Sequence, residues 1–231
     1  MIQVQRRKEP PPSLADQCRP FKEDVRHALN DDFFGKCYLC GGIASDSFDV
    51  EHLRPVCDFP GAEYSWQNLF PAHSRCNERR KRWSKEEREA QHKRWPRGGL
   101  LDCSSDDIDG RLKQEFITDA TGAHARFQSS LTSDMPAANT ANELNSIHSR
   151  DCFWGLQISI LIGKRYSSVL TAYSRLSAAF QQAGRNWGDP SVLREQAALY
   201  SMLDKAAPYA GLMRNKMRTW LNPNWFQKLG L

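Results

Sequence analysis

The chain has 231 residues, 40% hydrophobic and 26% charged, with 32 Lys and Arg against 27 Asp and Glu for a net charge of +5. That length supports a real core and one or two domains, and the balance excludes a collagen-like or wholly disordered chain. The longest apolar candidate, Leu156–Ile162, is short and broken by Gln157 and Ser159, so no membrane span is expected. The opening Met1–Lys8 lacks the apolar core of a secretory signal, so a cytoplasmic location is expected, one that also keeps the seven cysteines reduced.

Taken in order, Pro10-Pro11-Pro12 forbids helix and makes residues 1–13 an extended lead-in. Arg6-Arg7-Lys8 reads either as a solvated tail or as a contact to nucleic acid or a partner. Residues from about 20 to 32 predict a helix with Phe21, Val25, Ala28 and Leu29 on one face, covering the adjoining Cys-rich unit with help from Phe33 and Phe34.

Cys37-x-x-Cys40 comes next, followed by Gly41-Gly42, which let the chain turn tightly. A second pair, His73-x-x-Cys76, lies downstream. Zinc takes four N or S ligands at tetrahedral corners, and short paired spacings supply two from one turn. Cys37, Cys40, His73 and Cys76 are therefore the candidate ligands of a structural Zn²⁺. Cys57 is the reserve ligand if His73 instead faces nucleic acid. Cys18, Cys103 and Cys152 read as plain thiols.

Between the pairs, Ile43, Phe48 and Val50 alternate as in a half-buried strand, and Pro55 ends it. Residues from about 43 to 53 thus predict the end of a β-hairpin with His52 near its tip. Trp66-Gln67-Asn68-Leu69 comes after a Pro60-Gly61 loop. Ser74 through Arg82, charged and free of Gly and Pro, predicts a helix. Residues 71–97 hold ten Lys and Arg against four Asp and Glu. Arg79, Arg80, Lys81 and Arg82 are the candidate phosphate contacts in that run.

Ser84-Lys85-Glu86-Glu87 is a capping-box pattern for a second helix from about 85 to 94, ended by Pro96-Arg97-Gly98-Gly99. Residues 100–139 are poor in helix signals. Glu115-Phe116-Ile117 and Ala125-Arg126-Phe127, around Asp-Ala-Thr-Gly, predict a short hairpin. Asp106-Asp107-Ile108-Asp109 reads as an acidic turn. From Thr140 the chain reads as helical, with Ile158, Leu161, Ile162, Val169, Leu170, Tyr173, Leu176 and Phe180 as an amphipathic core stripe. Asp189-Pro190 starts a helix to about Leu203, Pro208 interrupts, and a last helix carries Leu212, Met213, Met217 and Trp220. Trp225 and Phe226 are candidates for a partner contact. The expected fold class is α+β, in three parts: residues 1–98, 99–139 and 140–231.

Over residues 33–83 the pattern resembles the HNH (ββα-metal) endonucleases. The resemblance implies a zinc-stabilised ββα-metal core, with His52 as general base and Glu51 before it as a metal ligand. It implies that Asn68 braces the loop between strand and helix, and that Asn77 is the second ligand of a catalytic Mg²⁺ or Mn²⁺. Arg80 stands where relatives often have Lys. The chemistry suits these types: a hard cation wants oxygen donors, and a neutral imidazole can take a proton from water near neutral pH.

The wider layout is similar to the HNH nuclease subunits of Septu-type antiphage systems (PtuB-like), found also with some retrons. It has a proline-bearing start, the run Cys-x-x-Cys, Glu-His, Trp-x-Asn-Leu, Cys-Asn, then a hairpin insertion and the segment Thr140–Arg150. This resemblance implies a DNA nuclease in bacterial defence, gated by an ABC/SMC-like ATPase subunit. The chain itself carries no Gly-rich phosphate loop. The competing expectation is a non-catalytic zinc-stabilised module that binds DNA or docks a partner.

Overall fold

A computed structural model describes residues 1, 3–44, 47–81, 99–119, 122–220 and 223–229. The helix expected at about 85–94, and Arg82, lie outside them. The first helix, α1 (Glu23–Asp32), buries Val25, Ala28 and Leu29, and Glu23 and Asp24 favour its positive N-terminal end. Phe34 (φ 56°) and Gly35 (φ 65°) turn the chain out of it. A tight knuckle spanning residues 36–43 comes next, closed by a bridge between Lys36 and Ile43.

Strands β1 (Phe48–His52) and β2 (Leu69–His73) pair antiparallel, from Phe48 opposite His73 to His52 opposite Leu69. Helix α2 (Ser74–Lys81) begins where β2 ends. Ile43 lies outside β1, and its backbone pairs with the knuckle instead. His52 is the last residue of β1, as its place near the hairpin end required.

The hairpin expected after residue 100 is present and longer than its pattern showed. Strands β3 (Leu112–Asp119) and β4 (Gly122–Ser129) pair antiparallel. Leu112, Gln114 and Phe116 alternate inward, the period-2 burial of a half-covered strand. A one-turn helix, α3 (Ile108–Arg111), precedes it. The acidic turn is its cap: the Asp107 side chain accepts from the Gly110 N–H, and Asp106 and Asp134 hold Arg111.

Helix α4 (Met135–His148) starts five residues before the expected onset at Thr140, capped by Asp134 with Pro136 in its first turn. Helix α5 (Phe153–Gln182) buries Ile158, Ile162, Val169, Leu176 and Phe180. Leu161 falls off that stripe and is exposed. Helix α6 (Pro190–Leu203) has the predicted bounds, with Asp189 accepting from the Ser191 N–H. Helices α7 (Ala210–Trp220) and α8 (Pro223–Lys228) complete the described chain. The chain is thus α+β, with two small antiparallel sheets among helices. Among the described residues no helix is long and apolar enough to cross a membrane.

Two expectations about the ends are corrected. The N-terminal segment is packed, with Met1 and Val4 buried and the Val4 N–H donating to the Cys103 carbonyl. The Arg6 guanidinium lies 4.2 Å above the Trp66 ring, and Arg7 pairs with Asp32. Trp225 is half-buried in an aromatic cluster, 5.2 Å from Phe180 and 5.0 Å from Trp187 between ring centres, so much of its apolar area serves the fold, while the Phe226 side chain lies outside the described part of the chain.

Candidate metal centre

The knuckle, the end of β2 and the start of α2 bring Cys37, Cys40, His73 and Cys76 together. One ligand atom from each lies within 4.8 Å of all the others. The knuckle has the local geometry for this. The Cys37 N–H donates to the Gly42 carbonyl, the Gly41 N–H donates to the Cys37 carbonyl, and Gly41 sits at φ +74°. The Tyr38 N–H donates to the Pro71 carbonyl and ties the knuckle to β2.

His73 presents Nδ1 to the group, 3.2 Å from Cys40 Sγ, while Nε2 stands 2.8 Å from the Ile43 carbonyl. A carbonyl can only accept, so Nε2 carries the proton and Nδ1 is bare, the tautomer a metal requires. Burial opposes a charged thiolate at Cys37, but hydrogen bonds from the Cys40 and Cys76 thiols hold its pKa well below the ordinary value. Trp154 covers the group from α5: its indole N–H donates to Cys76 Sγ at 3.2 Å and its ring packs against His73. The donor set, its closeness and its mostly buried setting fit zinc. Cys57 is exposed and not part of the group, so the reserve ligand is not used.

Beside this group, β1 presents two carboxylates to α2 at a two-residue interval. Asp49 accepts from Ser74 Oγ and Asn77 Nδ2, both at 2.9 Å. Glu51 lies 3.2 Å from Arg80 Nη1, both side chains nearly buried at 12% and 9% exposure. Because a carboxylate only accepts, the Asp49 bond fixes the Asn77 amide. Its Oδ1 is then a buried carbonyl oxygen with no partner among the described residues. Asp49, Glu51 and Asn77 are hard oxygen donors of the kind Mg²⁺ or Mn²⁺ takes. The Cys/His group is nonetheless the sole set of three or more His, Cys, Asp or Glu near enough to share an ion, among the described residues.

The structure separates His52 from that face. Its ring, 8% exposed as a residue, turns to the other side of β1, with Nε2 2.8 Å from the Glu63 carbonyl. Arg19 Nη2 stands 3.1 Å from Nε2 and 3.4 Å from Nδ1. Burial, and then the positive charges of Arg19 and Arg80, lower its pKa against the opposing pull of the Glu63 carbonyl, so the ring is neutral at pH 7. Asn68 secures the chain just beyond His52. Its backbone carbonyl accepts from the Leu53 N–H, its Oδ1 from the Arg54 N–H at 2.7 Å, and its Nδ2 donates to the Arg54 and Ala62 carbonyls.

Two basic residues expected at phosphate are engaged inside the protein. Arg80 donates to the Tyr38 hydroxyl, Glu51 and the carbonyls of His52 and Leu53. Arg79 donates to the Ser146 carbonyl. Arg80 is therefore a clamp across the end of β1 rather than a surface cation. The Lys81 side chain lies outside the described part of the chain, as does Arg82.

Sequence reasoning passed over several of these groups. Asp49 was discoverable, since a strand puts residues two apart on one face. Tyr38, Trp154 and Arg19 carried no local signal. Glu143, from α4, is a further half-buried carboxyl, its pKa raised by desolvation against the opposing pull of Arg80 and Arg79.

No protein-family model matches this chain, and no curated protein matches it. Fold and site together define an α+β protein with a Cys₃His group that could bind zinc.

Proposed function

We propose that this protein is a metal-dependent endonuclease of the HNH type, with a zinc-stabilised ββα-metal core, hydrolysing DNA phosphodiester bonds. The observation that carries this reading is the clasp of Asn68 on Leu53 and Arg54, directly after His52. It braces the loop that leaves β1 and fixes the backbone behind a neutral imidazole. His52 acts as general base: Nε2–H stays on the Glu63 carbonyl, and bare Nδ1 receives the proton of the attacking water. Arg19, over the edge of the ring at 3.1 Å from Nε2 and 3.4 Å from Nδ1 and paired with Glu63, orients the incoming phosphate. Across β1 from that ring, Asp49, Glu51 and Asn77 would hold the Mg²⁺ or Mn²⁺, and the Asn77 Oδ1, which has no partner among the described residues, supports that role. When bound, the ion supplies positive charge for the phosphoryl oxygens. The resemblance in layout extends the proposal to bacterial antiphage defence with an ABC/SMC-like ATPase partner.

The test is plasmid cleavage in Mg²⁺ or Mn²⁺, with the partner present, comparing the parent with His52→Ala. The variant should keep its zinc and its DNA affinity and lose about 10²–10⁴-fold in cleavage rate. Equal cleavage by both removes His52 as the base.

The Glu51–Arg80 ion pair favours a second reading, because it neutralises the carboxylate expected at the ion. In that reading the protein is a non-catalytic zinc-stabilised module that binds DNA or docks a partner. Parent and variant would then be equally inert, with DNA or partner binding unchanged by EDTA at a level that spares the zinc.

A further inference from the structure

Away from the Cys/His group, a cleft of about 570 Å³ lies between β4 and α4. Arg126, Arg150, His124 and His148 line it together with the amides of Asn142 and Gln128, and no carboxylate does. Asp119 stands behind, 3.8 Å from both Arg150 and His124. Glu115 stands opposite Arg126 on β3 but no ion pair joins them among the described residues, and the lining itself carries positive charge only.

His148 is the informative residue. It is 3% exposed, and neither ring nitrogen has a hydrogen-bond partner among the described residues. Burial keeps it uncharged, with its pKa pushed down to about 3. A neutral imidazole offers one donor and one acceptor, and burying both unsatisfied is unfavourable. Packing on Phe127, 4.9 Å between ring centres, accounts for the ring but not for its nitrogens. A phenylalanine would fill the same space without that cost. Asn145, three residues earlier, is the contrast. Its Oδ1 accepts from the Phe127 N–H at 2.9 Å and its Nδ2 donates to the Phe127 carbonyl at 2.8 Å. Asn145 thereby closes the outer edge of β4 and fixes one wall, while His148 stays unpaired.

We propose that this cleft is a nucleotide-binding site, in which Arg126 and Arg150 take the phosphate and His148 meets a ribose hydroxyl or a base edge. Guanidinium groups match phosphate oxygens in charge and geometry. A hydroxyl or base edge both donates and accepts, as the neutral ring requires. The volume lies within the roughly 300–1,000 Å³ of small-ligand sites. The site stands on residues separate from the nuclease reading and does not depend on it.

Calorimetric titration of the full chain with AMP tests the free nucleotide, and a short single-stranded oligonucleotide tests a nucleotide unit within a strand. AMP should bind, and Arg126→Ala, a change at an exposed side chain, should weaken it about tenfold or more. His148→Phe should weaken AMP binding while leaving the unliganded melting temperature unchanged or higher, which separates ligand loss from misfolding. Oligonucleotide affinity that falls in Arg126→Ala, without AMP binding, assigns the site to a nucleic-acid strand and supports the proposal. No binding of either probe, or binding unchanged in either variant, overturns it.

Discussion

Two regions of this protein are held together by different chemistry. Residues 33–81 rely on thiols, an imidazole and buried polar groups. Cys37, Cys40, His73 and Cys76 converge, Asn68 clasps Arg54, and Arg80 spans Tyr38, Glu51 and two carbonyls. The helices after residue 135 rely on apolar faces, with Ile158, Ile162, Val169, Leu176, Val192, Leu199 and Leu203 all buried. The first region has short strands, and although Phe33, Leu39, Trp66, Leu69 and Phe70 are buried there, its knuckle, β2 and α2 meet at the Cys/His group, so a metal bound there would be the tie between them. The second would cohere without any metal. The difference teaches where each region should fail.

The largest expected effect is metal removal. Structural zinc contributes an apparent ~10–16 kcal/mol in small zinc domains, more than two short strands and one short helix can replace. Strong chelation, or Cys37→Ser, should strip hydrogen-exchange protection from residues 37–42 and 69–77. Protection within α5 and α6 should persist. Loss across both regions together would show that they unfold as one unit and end the comparison.

The converse is a cavity in the second region. Leu176 is 0% exposed on the buried face of α5. Leu176→Ala should cost about 2–5 kcal/mol, by lost transfer energy and an unfilled void. Urea unfolding followed by helical circular dichroism checks this, and the loss should be the same with or without chelator. A cost that depends on metal would mean the regions share their stability.

The same division explains which features the sequence disclosed. Cys37, Cys40, His73 and Cys76 were legible because ligand identity and spacing are local facts. Helix α6 was legible because Asp189-Pro190 is a complete start signal, and the β3–β4 hairpin because its strands alternate. The features that stayed hidden depend on groups brought together only by folding. A run of Arg and Lys reads as a phosphate contact, and nothing local says that Arg80 meets Tyr38 and two carbonyls. Trp154 covers Cys76 from 78 residues away. Trp225 looked like a free terminal aromatic until Phe180 and Trp187 closed around it.

The smallest effect sharpens the comparison through pH. His148 is buried uncharged, with its pKa lowered from 6.5 to about 3. The unfolded chain gains a proton at this position as pH falls below about 6.5, and the folded chain does not until about 3. The unfolded state therefore binds more protons across that window, and stability falls as pH falls. The slope from one such group is at most ~1.4 kcal/mol per pH unit. His52, also lowered by burial, acts in the same direction below its ordinary value. His148→Phe should flatten the acid slope of urea midpoints between about pH 6.5 and 4, while His52→Ala leaves the His148 share in place. Acid also protonates thiolates and His73, but that loss should appear in the exchange of residues 37–77. The His148 share should instead appear where α4 meets β4, so the two acid responses separate along the same boundary as the two kinds of stabilisation. Parent and His148→Phe with equal slopes would mean that the buried ring is not neutral.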